Sequence, residues 1–328
     1  MHTFRRRTVT ALLIGLAAIS GSSTAFAQGS FPDRSIKLVV PYPPGGFTDM
    51  LGRLLADKLQ AGLGQPVIID NKGGGGSIIG TAFVARASAD GYTLLLVAPD
   101  LAINESLIPS RLTYDARKDF APVMRAAVSP MVLVVSPSLP AKSVAELIAL
   151  AKAKPGEINF ASGGNGTGAH MALELFKTRA GVDLLHVPYK GNGPATSALL
   201  GGQVSAMFLQ YAVAKPHVDA GKLRILATPS GKRSPSMPSV PTIDESGLKG
   251  FDVEPWFGVV APAGTPPAIV DRLNQEMAKV MQMPEVKDQL ALVGAVPMVT
   301  TPKEFASFID SEITRWADVV RISGAKVE

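Results

Sequence analysis

The sequence contains no cysteine and little histidine, and both shortages exclude classes of site. Without cysteine, the 328-residue chain can form no disulfide, hold no metal through thiolates and use no thiolate nucleophile. Beyond the N-terminal segment only His170, His186 and His217 remain, too few for a histidine-rich metal site. The patterns G-x-S-x-G and H-E-x-x-H are also missing, and no carboxylates pair on one helical face. We therefore expect no metal, no cofactor and no catalytic residue.

The net positive charge is small once the N-terminal segment is set aside, and this argues against a nucleic-acid partner. The formal net charge is +5, from 32 basic and 27 acidic residues. Arg5, Arg6 and Arg7 lie in a segment without acidic residues, and subtracting them leaves 29 basic against 27 acidic residues, or +2. A balance so close to neutral gives no basic footprint for nucleic acid, and we expect none to bind.

The N-terminal segment has an apolar run that is too short to anchor the chain in a membrane. Basic MHTFRRR is followed by apolar ALLIGLAAIS and by the A-x-A site in STAFAQ. This order is typical of a signal peptide, and a run of about ten residues does not cross about 30 Å of hydrocarbon. We predict a signal peptide over residues 1–27, cleaved after Ala27, and a periplasmic mature protein. The Arg6-Arg7 pair leaves Tat export open, although the residues that follow favour Sec.

From residue 36 onward, apolar runs alternate with helical patterns. Predicted strands cover 36–40, 67–70, 92–97, 131–135, 158–162, 184–189, 204–209 and 223–228, with an irregular stretch between 97 and 131. Ser77, Ser143 and Thr301 are expected helix N-caps, the last in a capping box with Glu304. This alternation predicts an α/β fold of two doubly wound lobes joined by a double crossover hinge. We assign residues 28–125 and 228–328 to lobe 1 and residues 126–227 to lobe 2, with a ligand cleft between them.

Two glycine-rich corners stand where strands end and helices begin, which is where open α/β sheets bind ligands. In PYPPGG (41–46), the prolines fix the turn, and Gly45 and Gly46 let the backbone approach a ligand. The N–H groups of the following helical turn attract a carboxylate. SGGNGTG (162–168) repeats this design with polar side chains at Ser162, Asn165 and Thr167. Two such corners facing each other predict a site for a small anion.

Several features of the corners also have a plainer interpretation. PYPPGG is equally typical of a tight turn without a ligand, and GNGTG loosely echoes a dinucleotide fingerprint, although the phosphate-loop spacing and the ribose-binding acid are missing. His170, in the helical turn after the second corner, contacts either the ligand or the corner itself. Asp49 either shapes the first corner or accepts a ligand N–H. We expect His186 and His217 to be structural and Trp256 to lie in the core.

Four stretches along the mature chain resemble the same known family: KLVVPYPPGG (37–46), FASGGNGTGAH (160–170), VPYKGNGPA (187–195) and WFGVVAPAGTPP (256–267). In order and spacing they resemble the substrate-binding receptors of tripartite tricarboxylate transporters, the Bug family. The resemblance implies a periplasmic binding protein with a type II-like fold, not an enzyme, that closes on a small carboxylate and delivers it to a membrane carrier. It also implies carboxylate contacts at Gly45, Gly46, Ser162, Gly166 and Thr167. The alternative is a periplasmic enzyme that acts on a small organic acid with the same fold.

Asp100 departs from the family pattern, which has small neutral residues after the strand that ends at residue 97. Two interpretations stay open: a solvated turn residue, or a carboxylate that selects a hydrogen-bond donor at the far end of the ligand. Gln210 ends another strand and is a second candidate for that end. We expect a monomer that binds a mono- or dicarboxylate, including aromatic and amino-bearing acids. The predicted ligand-binding residues are Tyr42, Gly45, Gly46, Phe47, Asp49, Ala98, Asp100, Ser162, Asn165, Gly166, Thr167, His170, Tyr189 and Gln210.

Overall fold

The computed structural model describes residues 31–327, so the predicted signal peptide and its cleavage site after Ala27 lie outside the described residues. From Arg34 onward the chain forms one compact unit. In this described part of the chain, no helix is both long enough and apolar enough to cross a membrane. The predicted division into lobes at 125/126 and 227/228 stays a prediction, and the observed architecture is best described by its two sheets.

The strands and helices alternate over most of the chain. The strands are β1 Ile36–Val40, β2 Val67–Asn71, β3 Thr93–Val97, β4 Phe120–Val128, β5 Met131–Val135, β6 Asn159–Ser162, β7 Leu185–Pro188, β8 Ala206–Gln210, β9 Arg224–Ala227, β10 Trp256–Pro262 and β11 Val296–Pro297. The helices are α1 Phe47–Leu63, α2 Ile78–Ala85, α3 Asp100–Leu107, α4 Val144–Ala153, α5 Gly168–Ala180, α6 Asn192–Leu200, α7 Tyr211–Asp219, α8 Pro267–Gln282, α9 Pro284–Leu292 and α10 Pro302–Ser323. A short 3-10 helix covers Pro109–Arg111.

The strands form two mixed sheets. The first has the order β11-β4-β10-β3-β1-β2, in which β1 is parallel to β2 and β3 while β10 runs antiparallel to β3 and β4. The second has the order β7-β6-β8-β5-β9, in which β6 is parallel to β7 and β8 while β5 runs antiparallel to β8 and β9. The chain passes from the first sheet to the second after β4 and returns before β10. The α/β fold class is therefore confirmed.

The inward strands are buried on both faces, as their uninterrupted apolar sequences indicate. Every residue of β5 and of β10 is buried. Trp256 is 1% exposed, and its indole N–H donates to the carboxylate of Glu312 on α10 at 2.7 Å. Its predicted place in the core is confirmed. Helix α10 also packs against α3 and β4, and α8 packs against α1 and β4, so the C-terminal helices cover the first sheet.

Of the three predicted helix N-caps, two are confirmed and one is wrong. Ser143 accepts the N–H of Glu146 at 3.1 Å, and Thr301 forms the complete capping box with Glu304. Ser77 does not cap α2: its φ is +76°, in the left-handed region, and its side chain makes no cap hydrogen bond. The backbone enters α2 from a run of glycines with positive φ, and a side-chain cap needs an extended N-cap residue instead.

Several elements were missed, and two of them, β4 and α3, lie in the irregular stretch between residues 97 and 131. β4 contains a proline and two register shifts against β10, which interrupt the alternation expected of a strand. Helix α3 is only eight residues long, and α7 has Pro216 inside it, which disfavours a helix on propensity alone. Tertiary packing overrides these local signals.

Candidate ligand-binding cleft

A cavity of about 50 Å³ lies where the loops of the two sheets meet. One wall belongs to the first sheet and is formed by Tyr42, Pro43, Gly46, Phe47, Thr48, Ala98, Pro99, Asp100, Pro255 and Phe257. The facing wall belongs to the second sheet and is formed by Met131, Gly163, Thr167, Gly168, Ala169, Asn192 and Gln210. Most of these residues follow the carboxyl ends of parallel strands, the usual place for ligands in such sheets.

Five helices begin at this cavity. The first residues of α1, α3, α5, α6 and α7, or the residues directly before them, line its walls. The opening N–H groups of a helix have no acceptor within the helix and carry partial positive charge. Among the described residues, no lysine, arginine or histidine lines the cavity. Any attraction for an anion therefore comes from backbone dipoles and neutral side chains.

The first corner gives the cavity an open backbone surface. Gly45 has φ +96°, which favours glycine, whereas Gly46 has φ −91°, which any residue adopts. A Cβ added at either glycine would meet no atom within 4 Å. The space beside Gly46 is therefore the open cavity, and a side chain placed there would occupy it.

Asp49 holds the first corner together. Its carboxylate accepts hydrogen bonds from the N–H of Gly45 at 3.2 Å, from Arg53 Nε at 3.1 Å and from Asn71 Nδ2 at 3.0 Å. Asn71 Nδ2 also donates to the carbonyl of Tyr42 at 3.0 Å. Burial raises the pKa of Asp49, but the hydrogen bonds from Arg53, Asn71 and Gly45 outweigh it and hold that pKa below its ordinary value. The geometry supports the loop-shaping role of Asp49.

Asp100 lies in the first turn of α3 and is only 3% exposed. The hydroxyl of Tyr42 donates a hydrogen bond to Asp100 Oδ1. Burial raises the pKa of Asp100, and the hydroxyls of Ser77 and Tyr42 act in the opposite direction. The interpretation of Asp100 as a solvated turn residue is wrong, because the side chain is buried and faces the cavity.

The second corner is held by neutral groups. Thr167 Oγ1 donates to the carbonyl of Gly164 at 2.8 Å and accepts the N–H of His170 at 3.3 Å, which caps α5. Ser162 Oγ accepts the N–H of Gly164 at 3.1 Å. The N–H of Gly166 donates to His170 Nδ1 at 3.2 Å. Three of the polar side chains that the sequence assigned to the ligand, Ser162, Thr167 and His170, are thus engaged within the corner.

Two stacked histidines support the second corner from behind. The rings of His170 and His186 lie 4.4 Å apart between centroids, and His186 Nε2 is 2.6 Å from Ser162 Oγ. Burial lowers the pKa of His170 to about 3, with a further contribution from His186. Burial also lowers the pKa of His186 to about 4, with a further contribution from Lys177. Both imidazoles are neutral at physiological pH.

The two walls touch each other around the cavity through glycines. A Cβ added at Gly166 would lie 2.1 Å from Asn104 Oδ1, and one at Gly191 would lie 2.8 Å from Pro43 Cδ. Each pair joins a residue beside the second sheet to a residue beside the first. Only glycine permits such close approach of the backbone to the opposite wall.

The structure brings half of the predicted residues to the cavity. The predicted residues that line it are Tyr42, Gly46, Phe47, Ala98, Asp100, Thr167 and Gln210. Asn165 and Tyr189 instead line a neighbouring cavity of about 220 Å³, which Tyr42 also borders. The predicted residues that line neither cavity are Gly45, Asp49, Ser162, Gly166 and His170. Apart from Gly45 and Asp49, which brace the first corner, these form the frame of the second.

Sequence reasoning missed residues that reach the cavity from antiparallel strands. Met131 begins β5, and Pro255 directly precedes β10. The amino end of an antiparallel strand lies at the same edge as the carboxyl ends of its parallel neighbours, so strand direction has to be known first. Asn192 was also missed, although it begins α6 after a glycine; its Nδ2 donates to Gln210 Oε1 at 2.7 Å.

Comparison with known proteins confirms the resemblance seen in the sequence. Residues 51–324 match the family described as tripartite tricarboxylate transporter family receptor. Protein BugT of Bordetella pertussis is 42% identical over 330 residues, which cover 100% of both chains. The structure of Rpa4515 of Rhodopseudomonas palustris with adipate is 38% identical, with a TM-score of 0.87, over 90% of this chain and 100% of that one. MatC of the same organism, with bound malate, is 34% identical, with a TM-score of 0.84, over 88% and 100%.

These matches span nearly the whole described chain at identities well above those that show a fold alone. The matching family consists of periplasmic receptors that bind substrates and are not enzymes, so the enzyme alternative does not hold. The chain belongs to the family of tripartite tricarboxylate transporter receptors.

Proposed function

We propose that the cavity between the two sheets binds a small mono- or dicarboxylate and that the protein delivers it to a tripartite membrane carrier. The two lobes, residues 28–125 with 228–328 and residues 126–227, close on the ligand. The receptor acts as a monomer, exported and cleaved after Ala27. The ligand contacts in this proposal are the lining residues of both walls.

The observation that carries this proposal is the convergence of helix starts from both sheets on one cavity without a basic side chain. Helix α1 supplies the N–H groups of Phe47 and Thr48, and α5 supplies those of Gly168 and Ala169. A carboxylate between them accepts charge-assisted hydrogen bonds from both walls. The solved relatives with adipate and with malate support a small carboxylate as the ligand.

Closure follows from the same geometry. A ligand that touches both walls gains its full set of contacts only when the walls meet, so binding shifts the population toward the closed state. The close packing of Gly166 against Asn104 and of Gly191 against Pro43 supports a closed state in which the two walls meet. Several charge-assisted hydrogen bonds of about 1.5–3 kcal/mol each suffice for micromolar affinity, which needs about 8 kcal/mol.

A thermal-shift screen of malate, adipate, succinate, glutarate, benzoate and the half-amides succinamate, glutaramate and adipamate, followed by calorimetry on those that bind, tests the proposal. Gly46→Val places a branched side chain in the open space beside the first corner at a backbone conformation that valine adopts. We expect this variant to fold and to lose binding of every acid that stabilises the wild type.

Ala61→Val is the matched control, since Ala61 lies on the same helix α1 but is exposed near its far end. We expect its affinities to equal those of the wild type. If folded Gly46→Val keeps the wild-type affinity, the ligand does not occupy this cavity. If no acid stabilises the wild type, the carboxylate class itself is wrong.

A further inference from the structure

The cavity that attracts an anion contains a carboxylate of its own. Asp100 lines the same space as the first turns of α1 and α5 and is 3% exposed. Bulk water therefore does little to screen its charge. A ligand carboxylate drawn to the helix amides leaves the rest of the ligand to share the cavity with Asp100.

In the described part of the chain, Asp100 lies beside neutral side chains and the first N–H groups of α3. The hydroxyl of Tyr42, a neutral group, donates to its carboxylate. No lysine, arginine or histidine of residues 31–327 lines the cavity beside it. Burial and, to a smaller extent, the charge of Asp100 raise the pKa of Tyr114, so this nearby side chain is also neutral.

The other polar side chains that line the cavity, Thr48, Thr167, Asn192 and Gln210, are neutral, and the last two are paired with each other. Asn192 Nδ2 donates to Gln210 Oε1 at 2.7 Å across the second wall. Among the described residues that line the cavity, Asp100 is the single carboxylate. A second carboxylate on the ligand would meet like charge in a poorly hydrated space, whereas a donor would satisfy the free acceptor capacity of Asp100.

We propose, on the basis of the proposed function, that Asp100 restricts the receptor to carboxylates whose far end presents a hydrogen-bond donor, such as an amide, ammonium or hydroxyl group. Asp100 thus sets specificity by rejecting a second carboxylate as well as by accepting a donor. Tyr42 positions the Asp100 side chain through its hydroxyl.

Paired probes isolate this effect. Succinate and succinamate, glutarate and glutaramate, and adipate and adipamate differ only in a far-end carboxylate or carboxamide of nearly equal size. Calorimetry at pH 7.5 gives the affinity ratio within each pair, which cancels effects on overall closure. For the wild type we expect the best-binding pair to favour the half-amide by at least about tenfold.

Asp100→Asn keeps the size of the side chain and removes its charge. We expect its half-amide preference to fall to within about twofold or to reverse, since the asparagine amide can donate to a carboxylate. Tyr42→Phe removes only the hydroxyl, and we expect it to weaken both members of a pair while the preference for the half-amide persists. A merely structural role of Asp100 would lower both affinities and leave the ratio unchanged.

The outcomes separate this proposal from the one on which it rests. If wild-type protein binds the dicarboxylates at least as tightly as their half-amides, or if the ratio is the same in Asp100→Asn, the specificity role is refuted while carboxylate binding stands. If Asp100→Asn does not fold, the wild-type ratio and the persistence of the preference in Tyr42→Phe still decide. If no probe binds the wild type, the proposed function fails, and this inference fails with it.

Discussion

The two glycine-rich corners are held in shape by different chemistry. The first is braced by a charged network in which Asp49 accepts from Arg53 and from the N–H of Gly45. The second is braced by neutral groups, with Thr167 capping α5 and His170 accepting the N–H of Gly166. Both corners place the start of a helix at the cavity, so the proposed function depends on the backbone in both, whereas the side chains that hold the backbone differ.

That difference predicts different responses to acid. The pKa of Asp49 is lower in the folded protein than in the unfolded chain. The stability that Asp49 contributes is therefore fully present at a pH above its unfolded pKa and is lost as the pH falls below that pKa toward the folded one. His170 and His186 take up protons near pH 6.5 when unfolded, but near about 3 and about 4 when folded. Between those values unfolding takes up protons, so stability falls as the pH falls. Mild acid should therefore weaken the second corner and leave the first intact.

The largest expected effect is this acid sensitivity. Between pH 6.5 and pH 5, we expect the free energy of unfolding to fall by up to about 1.4 kcal/mol per pH unit for each of the two histidines. Urea unfolding at half-unit pH steps measures the slope. His170→Asn retains an acceptor for the N–H of Gly166 but does not titrate. The slope of the free energy of unfolding against pH should therefore drop by about the contribution of one histidine. A slope that does not change in this variant would show that other groups carry the acid response.

Next in size is a block to closure. Gly166→Ala adds a Cβ that would lie 2.1 Å from Asn104 Oδ1 at a φ of +79°. We expect calorimetric affinity for the best-binding acid to fall about 100-fold, or about 2.7 kcal/mol. Gly181→Ala is the control: its φ is +60°, with no atom within 4 Å of the added Cβ. It should lose stability through the same backbone strain and keep its affinity, and equal affinities in the two variants would contradict the contact as a condition of closure.

Removing the brace of the first corner should have a smaller effect. Asp49→Ala leaves the N–H of Gly45 without its acceptor and removes one of the two hydrogen bonds that Asn71 Nδ2 donates, and we expect a loss of about 1–3 kcal/mol in stability or in binding. Arg53→Ala removes an exposed partner of the same carboxylate and should cost less than about 1 kcal/mol. Denaturant unfolding and calorimetry compare the two. Equal losses would assign the effect to the ion pair instead of the corner.

The smallest expected effect is the loss of one cap. Thr167→Val keeps the shape of the side chain and removes the hydroxyl that caps α5, which should cost about 1 kcal/mol of stability. Ser143→Ala removes a comparable cap from α4, whose residues do not line the cavity. We expect similar losses of stability in both variants, with a loss of affinity only in Thr167→Val. Wild-type affinity in Thr167→Val would show that the second corner keeps its geometry without its cap.

The sequence predicts the positions of the two corners well and the side chains that face the cavity less well. Proline and glycine report local backbone geometry directly, so PYPPGG and SGGNGTG identify where the chain turns toward the cleft. Which groups face the ligand depends on tertiary contacts: Ser162 and His170 have suitable chemistry, yet their polar atoms bond within the corner. Met131 has no such signal, because its position follows from the antiparallel direction of β5. Asp100 was identified from its departure from a pattern, and its burial became visible only in the fold.

The central claim is that helix amides from both walls hold a ligand carboxylate without a cationic side chain. The most direct measurement compares wild-type affinity for the best-binding half-amide among succinamate, glutaramate and adipamate with affinity for the corresponding diamide. The two molecules differ only in the carboxylate that the amides would hold. The account predicts that the diamide binds at least about 100-fold more weakly, since charge-assisted hydrogen bonds are replaced by neutral ones. Equal affinities of the half-amide and the diamide would contradict it.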